Sequence, residues 1–547
     1  MKSRWLAGSA LRLAMLLSFS MLLPVAAVAS VTPYPAYPGA PESLAYRVTV
    51  DGQPVFVHRL PTYNQFQWMD HASFSMPASG KVHVTITSLV NERNVITCYI
   101  RPAAYGIRPQ MSGKSISFDL DQPRYLVIFF NEEPTFQSPG LLLFAEPAEK
   151  DPPKLGDANV VNIMDYKVDN TGKTLQTATI NKAIGDVSAR PGGGVLFFPA
   201  GIYLSGEIVM QSNVKLYIDA GAVIRGSRKN ADYVSPPMPS GGRGLRAMVV
   251  FNNVENAGIT GRGTIDMEGY PWLWHDVQPD TGDGKARSDE GLVNDPHGNG
   301  VKGYIVNHCK NITFQGLLLL RSSYWTTTVS DTENFSAINI KIVNRKQQYH
   351  DDAFDITGNT KHVLIADSFA MTMDDTFAFY GGKNSTVEDV TVRNFVNYTY
   401  TASIAIGYGG APNIRHLLFD GVQFVTNQNK YAVWIQLSPA YFTGKGYTSG
   451  QKPSEGIVLD DFKFVNTSFE NDGGHIYIDG GSDPVTNFVF ENCTFGHPTR
   501  PAQIMGAKVA PILFKNVKIN GVVVSSQQQL KRDGYEFSAP VTFKFAP

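Results

Sequence analysis

Two stretches decide the fold once one is set beneath the other: HDDAFDITG, residues 350–358, over MDDTFAFYG, residues 373–381. In that register Asp351 falls over Asp374, Asp352 over Asp375, and Phe354 and Ile356 over Phe377 and Phe379. Alternation along a strand turns the phenylalanines and the isoleucine inward, and Asp355 and Ala378 outward. The same strand, turn, strand unit recurs as VVFNNVENAGIT, YIVNHCKNITF, TTTVSDTENFSAI, FDITGNTKHVLI, FAFYGGKNSTVEDV and IAIGYGGAPNIRHLL. An asparagine recurs in the turn at Asn256, Asn311, Asn334, Asn384 and Asn413, with His362 in that place once. A period of about 20 to 30 residues is one coil of a solenoid rather than a domain. Coils paired as parallel strands stack equivalent residues into ladders, and stacked Asn both tolerates the left-handed conformation and bonds to its neighbours. The expected fold is all-β, with a right-handed parallel β-helix.

Working outward, Leu175 to Ala189 puts Ile180, Ala183, Ile184 and Val187 at helical spacing just before the PGGG turn at Pro191 to Gly194, so a helix is expected to cap the open first coil. Residues 31–146 hold short alternating segments such as KVHVTITSLV, SISFDL and RYLVIFF between turn residues, the pattern of a small antiparallel β-sandwich. Residues 147–159, rich in proline and charge, read as a linker, and residues 160–547 as the β-helix domain. Residues 1–29 carry Lys2, Arg4 and Arg12, an apolar run and Ala27-Val28-Ala29, which predicts a cleaved signal peptide and a secreted or periplasmic protein with no membrane attachment afterwards.

A chain of 547 residues with net charge −1 and 17% charged residues lacks the basic surplus of a nucleic-acid binder. Cys98, Cys309 and Cys493 lie far apart, in neither a disulfide nor a zinc spacing. No metal site, no cofactor, no nucleic-acid partner and a monomeric state are expected.

The two DD pairs sit where the chain bends into a strand, and stacking brings up to four carboxylates together. Like charges so close raise one another's pKa and disfavour joint ionisation. A single DD would be a solvated turn; two in register point to a purpose. Calcium wants about six to eight oxygens from a loop, which the repeat does not supply. A protonated carboxyl beside ionised ones can instead protonate a leaving oxygen while the others activate water, the chemistry of glycoside hydrolysis.

The chain resembles two glycoside hydrolase families. VHVTITSLVNERNVITCYIRP, LLLFAEP, MDDTFAFYGGKNSTVEDVTVRNFV and SIAIGYGGAPNIRHLLFDGV are similar to family 49, the dextranase and isopullulanase group. PGGGVLFFPAGIYLSG, GRGTIDMEGYPWLW, SSYWTTTVSDTEN and DDAFDI are similar to family 28, the polygalacturonases. The resemblance implies a single-stranded, pectin-lyase-like solenoid and an inverting hydrolase with three aspartates. It assigns Asp374 as general acid and Asp352 with Asp375 as the groups that position the attacking water, with Asp351 and Asp355 as the nearest alternatives. Polygalacturonases carry Gly-His-Gly where this chain has Ala402 and Ser403, and Arg-Ile-Lys where it has Trp434-Ile435-Gln436. Without those basic residues a neutral α-glucan such as dextran or pullulan is the expected polysaccharide, and a pectin hydrolase the alternative.

Outward positions of neighbouring coils make Trp325, Tyr380, Tyr408, Trp434 and Gln436 the candidate substrate-binding residues, with Tyr441, Tyr477 and Asp479 nearby. The insertion at Pro271 to Gly291 offers Trp272, Trp274 and His275 as a wall of the cleft, or is a plain surface loop. A β-helical lyase, which needs a basic residue beside a uronate, and a non-catalytic polysaccharide binder are the readings from other classes; no Lys or Arg lies in the two aligned acid stretches, Asp351 to Ile356 and Asp374 to Tyr380.

Overall fold

The computed structural model describes Met1 and residues 31–546, apart from 61–68, 91–92, 132–133, 236–243, 271–291, 294–300, 345, 347–349, 382–383, 408–410, 438–455, 471–472 and 539. The expected signal peptide and the insertion with Trp272, Trp274 and His275 lie outside the described residues, as do Tyr408 and Tyr441.

Two sheets face each other at the N-terminal end. One orders Thr32–Pro33, Met69–Ser75, Gly140–Glu146, Arg124–Phe130 and Cys98–Arg101; the other orders Gln53–Val55, Tyr46–Val50, Val82–Ser88, Ser115–Leu120 and Gln110–Ser112. Their inward residues, among them Val48, Val84, Ile86, Leu141 and Leu143, form one core. The sandwich is not wholly antiparallel as expected: Gly140–Glu146 runs parallel to Met69–Ser75. Every residue of Gly140–Glu146 is buried. A strand covered on both faces reads as an unbroken apolar run, with no alternation to mark it.

Beyond residue 160 successive coils pair in parallel. An 11-stranded sheet takes one strand from each coil, running from Ile208–Val209 through Thr327–Ser330, Phe354–Thr357, Phe377–Phe379, Ile404–Ile406 and Tyr431–Gln436 to Tyr535–Phe537. Phe354 pairs with Phe377 and Asp355 with Ala378, the register read from the sequence. The two phenylalanine rings stack at 5.8 Å inside the solenoid. Thr177–Ser188 forms the capping helix, with Ile180, Ala183, Ile184 and Val187 buried in the same core.

The turn column is real but differs in membership. Asn256, Asn311 and Asn334 have φ of 56°, 58° and 62°, and their amides bond in series at 2.8 and 2.9 Å. The next rungs are His362, Asp389, His416 and Asp461, all at positive φ, with His362 to Asp389 at 3.1 Å and His416 to Asp461 at 2.8 Å. Asn384 and Asn413 lie outside it; Asn413 pairs with Thr386. Longer loops before these coils shift the turn relative to the strand, so alignment by the turn asparagine chose the wrong residues.

Sandwich and solenoid share an apolar seam in which Leu142, Phe144 and Phe136 meet Phe369, Met371, Met373 and Tyr398. At its edge Lys341 Nζ donates to Glu146 Oε2 at 2.7 Å, with both side chains 1% exposed. Asn339 Nδ2 donates to the same oxygen at 2.9 Å, and the Tyr125 hydroxyl donates to Asn339 Oδ1. Residues 147–159 are pinned rather than loose: the Tyr217 hydroxyl donates to Glu149 at 2.9 Å, and Arg262 donates to the Pro147 carbonyl at 3.0 Å.

Candidate active site

The acids sit at the bends that lead into Phe354–Thr357 and Phe377–Phe379. Each bend is fixed from behind. The Asp351 carbonyl accepts from Asn344 Nδ2 at 2.8 Å, and the Asp374 carbonyl accepts from the hydroxyls of Thr372 and Thr399 at 2.7 and 2.6 Å. Between coils, the Asp375 amide donates to Asp352 Oδ1 at 2.9 Å, and the Ala353 amide donates to the Asp375 carbonyl at 3.1 Å. One oxygen from each of Asp352, Asp374 and Asp375 lies within 4.8 Å of the others. The three residues picked from the sequence do converge.

Asp351 has a different part. Its carboxylate is fully buried and accepts the amides of Met373 and Asp374, the latter at 2.7 Å, so it fastens the lower bend to the upper one. Burial still pushes its pKa well up, with those amides opposing.

Electrostatics divide the three acids. Burial, then the charges of Asp355, Asp374 and Asp375, pushes Asp352 well above the ordinary carboxyl range. Asp375 rises to about 6, chiefly through burial, although Lys430 opposes it; its Oδ1 accepts from the Thr401 hydroxyl and the Ala402 amide at 3.0 and 3.1 Å. Asp374 goes the other way. Burial alone would raise it, but Lys430, His350, the His350 amide at 2.9 Å and the Thr401 hydroxyl at 3.1 Å together hold it below the usual value. The expectation that neighbouring carboxylates raise one another's pKa therefore holds for Asp352 and Asp375, where it adds to burial, and not for Asp374 in the free site.

Three nearby oxygens could face a cation, but calcium takes about six to eight, and no further His, Cys, Asp or Glu atom joins the set among the described residues.

The flanking candidates are placed less simply. Trp325 is half-buried between Tyr324 and Tyr380, with ring centroids 4.8 and 4.9 Å away. The Tyr380 hydroxyl is buried beside Asp355, so it is not presented to the groove. Trp434 points away from the solenoid core, between Val433 and Ile435 as expected, yet is only 4% exposed, packed with Ala402 and Ala405. Gln436 is 1% exposed; its Nε2 donates to Asp479 at 3.0 Å and its Oε1 is buried without a hydrogen-bond partner, so the side chain is enclosed by the protein rather than presented to a sugar.

Sequence reasoning missed the basic residues. Lys430, from the loop before Tyr431–Gln436, reaches Asp375 at 3.9 Å and lies 4.5 Å over the Trp434 ring. His350 stacks on Tyr324 at 5.5 Å beside Asp374, so a histidine does adjoin the acids, from the upper coil. Ser403 is fully buried and bonds to Asn397 at 2.9 Å. Lys430 precedes Trp434-Ile435-Gln436 by one turn of loop, where no strand alternation announces a side chain's direction.

The sequence profile of Glycosyl hydrolases family 28 matches residues 195–495, the span that contains every acid described above. The chain belongs to glycoside hydrolase family 28. This family 28 chain is 26% identical over 251 residues to an endo-polygalacturonase of Pectobacterium carotovorum subsp. carotovorum, covering 44% of the chain and 60% of that relative's length. Its fold is similar to that of Dex49A from Penicillium minioluteum, with a TM-score of 0.62 at 16% identity over 94% of this chain and 96% of that one. It is also similar to the family 28 exopolygalacturonase of Yersinia enterocolitica, with a TM-score of 0.50 at 14% identity over 86% and 97%. At such identities likeness to a solved structure is likeness of fold. The family 49 resemblance read from the sequence is not shown by these comparisons; the likeness to Dex49A is one of fold.

Proposed function

We propose that this chain hydrolyses glycosidic bonds in a uronate-bearing polysaccharide of the polygalacturonate type, in preference to the neutral α-glucan expected from sequence alone. The observation that carries this reading is Lys430, whose ammonium stands 3.9 Å from Asp375 and over Trp434. A polyanionic substrate must approach a cluster of carboxylates, and a cation at the rim offsets that repulsion and receives the sugar carboxylate. The argument for a neutral sugar rested on the missing Gly-His-Gly and Arg-Ile-Lys residues; Lys430 supplies positive charge from another position, whereas burial pushes the His350 imidazole down, toward its neutral form. The similarity to an endo-polygalacturonase supports the same substrate class.

Asp374 is the general acid, and Asp352 with Asp375 holds the attacking water. In the free site Lys430 helps keep Asp374 ionised. When the substrate carboxylate engages Lys430, that hold weakens and Asp374 takes up the proton that the leaving oxygen requires. The product should have inverted anomeric configuration, although the oxygens approach more closely than the about 6.5–9.5 Å between carboxyl groups usual for inversion. NMR of the first product decides it, and retention would make one aspartate a nucleophile.

The test is release of reducing ends from polygalacturonate, dextran and pullulan. Activity on polygalacturonate with little on the glucans is expected, and Asp374→Asn should lower it by roughly 10²–10⁴. Cleavage confined to dextran or pullulan would overturn the substrate reading. A lysine beside the site is also what elimination next to a uronate needs, so absorbance of unsaturated ends is read alongside; none is expected.

A further inference from the structure

One buried carboxyl in this region has no part in the assignment above. Asp355 lies on the outward face of Phe354–Thr357, between Thr328 and Ala378 of the neighbouring strands. It is 0% exposed, and neither oxygen has a hydrogen-bond partner in the described structure. An ionised carboxylate so placed would forgo its solvation with no donor in return, whereas a protonated one leaves only a neutral hydroxyl unpaired, a much smaller cost. Asp352, beside it, is in the opposite condition, since it accepts the Asp375 amide at 2.9 Å, a bond that favours its ionised form.

We propose that Asp355 is a positioning residue that acts through Asp352, keeping the proton the pair shares on itself and so presenting Asp352 to the attacking water as a carboxylate. The groups facing Asp355 are few. Lys302, 3% exposed and 4.4 Å over the Trp325 ring, acts from two strands away and favours ionisation. The Tyr380 hydroxyl approaches from the next coil without reaching hydrogen-bond geometry. Asp352 and Asp375 complete the surroundings, and Asp374 and Asp351 act in turn on Asp352. Burial outweighs Lys302, Tyr380 and Asp352, all three of which favour ionisation, and Asp355 is pushed well above the ordinary carboxyl range. During turnover the water gives a proton to Asp352 while Asp355 keeps its own. The pair then returns the extra proton to solvent, and no bond of the substrate is made or broken by Asp355.

The proposal rests on the hydrolase reading for its consequence, but the location of the proton can be tested without it. The infrared difference spectrum of wild type minus Asp355→Asn at neutral pH should contain a protonated-carboxyl band. A carboxylate band in its place would overturn the proposal. In turnover, Asn keeps a neutral donor at this position, so Asp355→Asn should lose about tenfold and Asp355→Leu about a thousandfold. The acid limb of kcat/KM should stay in place in the Asn variant. Equal losses in both variants, or an acid limb moved down by a pH unit or more in Asp355→Asn, would show that Asp355 works as a charge and sink the idea. Thermal unfolding of both variants checks that they fold. A protonated band together with no hydrolysis of any polysaccharide would leave the proton's location standing and remove the functional reading instead.

Discussion

At the scale of single residues, the site is a contest between burial and one ammonium. Asp375 sits at about 6 because burial outweighs Lys430. If it must be ionised to hold water, activity falls as pH drops through that value, since the inactive form is the protonated one. Lys430→Met removes the opposing cation, so the acid limb of the pH–rate profile should move to higher pH, and KM for polygalacturonate should rise about tenfold or more. A limb that stays put would mean that Lys430 does not act on the acids. Asp352, Asp374 and Asp375 were legible because two identical DD pairs at one spacing are a ladder seen on edge. Lys430 was not, because its loop has no period and its direction is settled by tertiary contacts, among them Trp434 and Asp375. Gln436 shows the reverse error: an outward position in a strand was taken as an open one, and Asp479 of the next coil had already claimed it.

At the scale of elements, the solenoid's turns depend on residues that accept positive φ. Asn311 is held at φ 58° and bonds to both neighbours in its column. Asn311→Gly keeps the conformation and loses the bonds, while Asn311→Ala loses both, with about 1–2 kcal/mol of left-handed strain added. Urea denaturation should therefore rank wild type above Gly above Ala; Ala equal to Gly would show that conformation contributes nothing there. The repeat was readable from recurring turns, and the capping helix from its apolar spacing. The parallel strand Gly140–Glu146 was not, since a strand buried on both faces leaves no alternation to read. His362 was read into the turn column, but Asp389, His416 and Asp461 were missed for a related reason: histidine and aspartate replace asparagine by pairing with each other along the axis, and only the register reveals those three.

At the scale of the whole molecule, the sandwich is packed against the back of the acid coil. Met371 and Met373, just before Asp374, are buried in the seam with Phe136 and Phe144. The seam's ion pair is closed to water, and burial brings Lys341 down to about 8 despite Glu146. Lys341→Met leaves the Glu146 charge buried with its main cation gone, and should cost about 3–5 kcal/mol. The Lys341→Met, Glu146→Leu double variant should recover much of that loss, as a thermal melt would read; no recovery would mean that shape rather than charge decides the seam. The coil register has one more consequence. Asp352 and Asp375 are 23 positions apart and bonded to each other from one coil to the next, so the stretch between them is a ruler as much as a scaffold. Deleting or inserting a single residue within it would keep every aspartate in the gene and still dismantle the constellation. In this protein chain length between two points is itself heritable chemistry, and indels there should be as inactivating as loss of an acid.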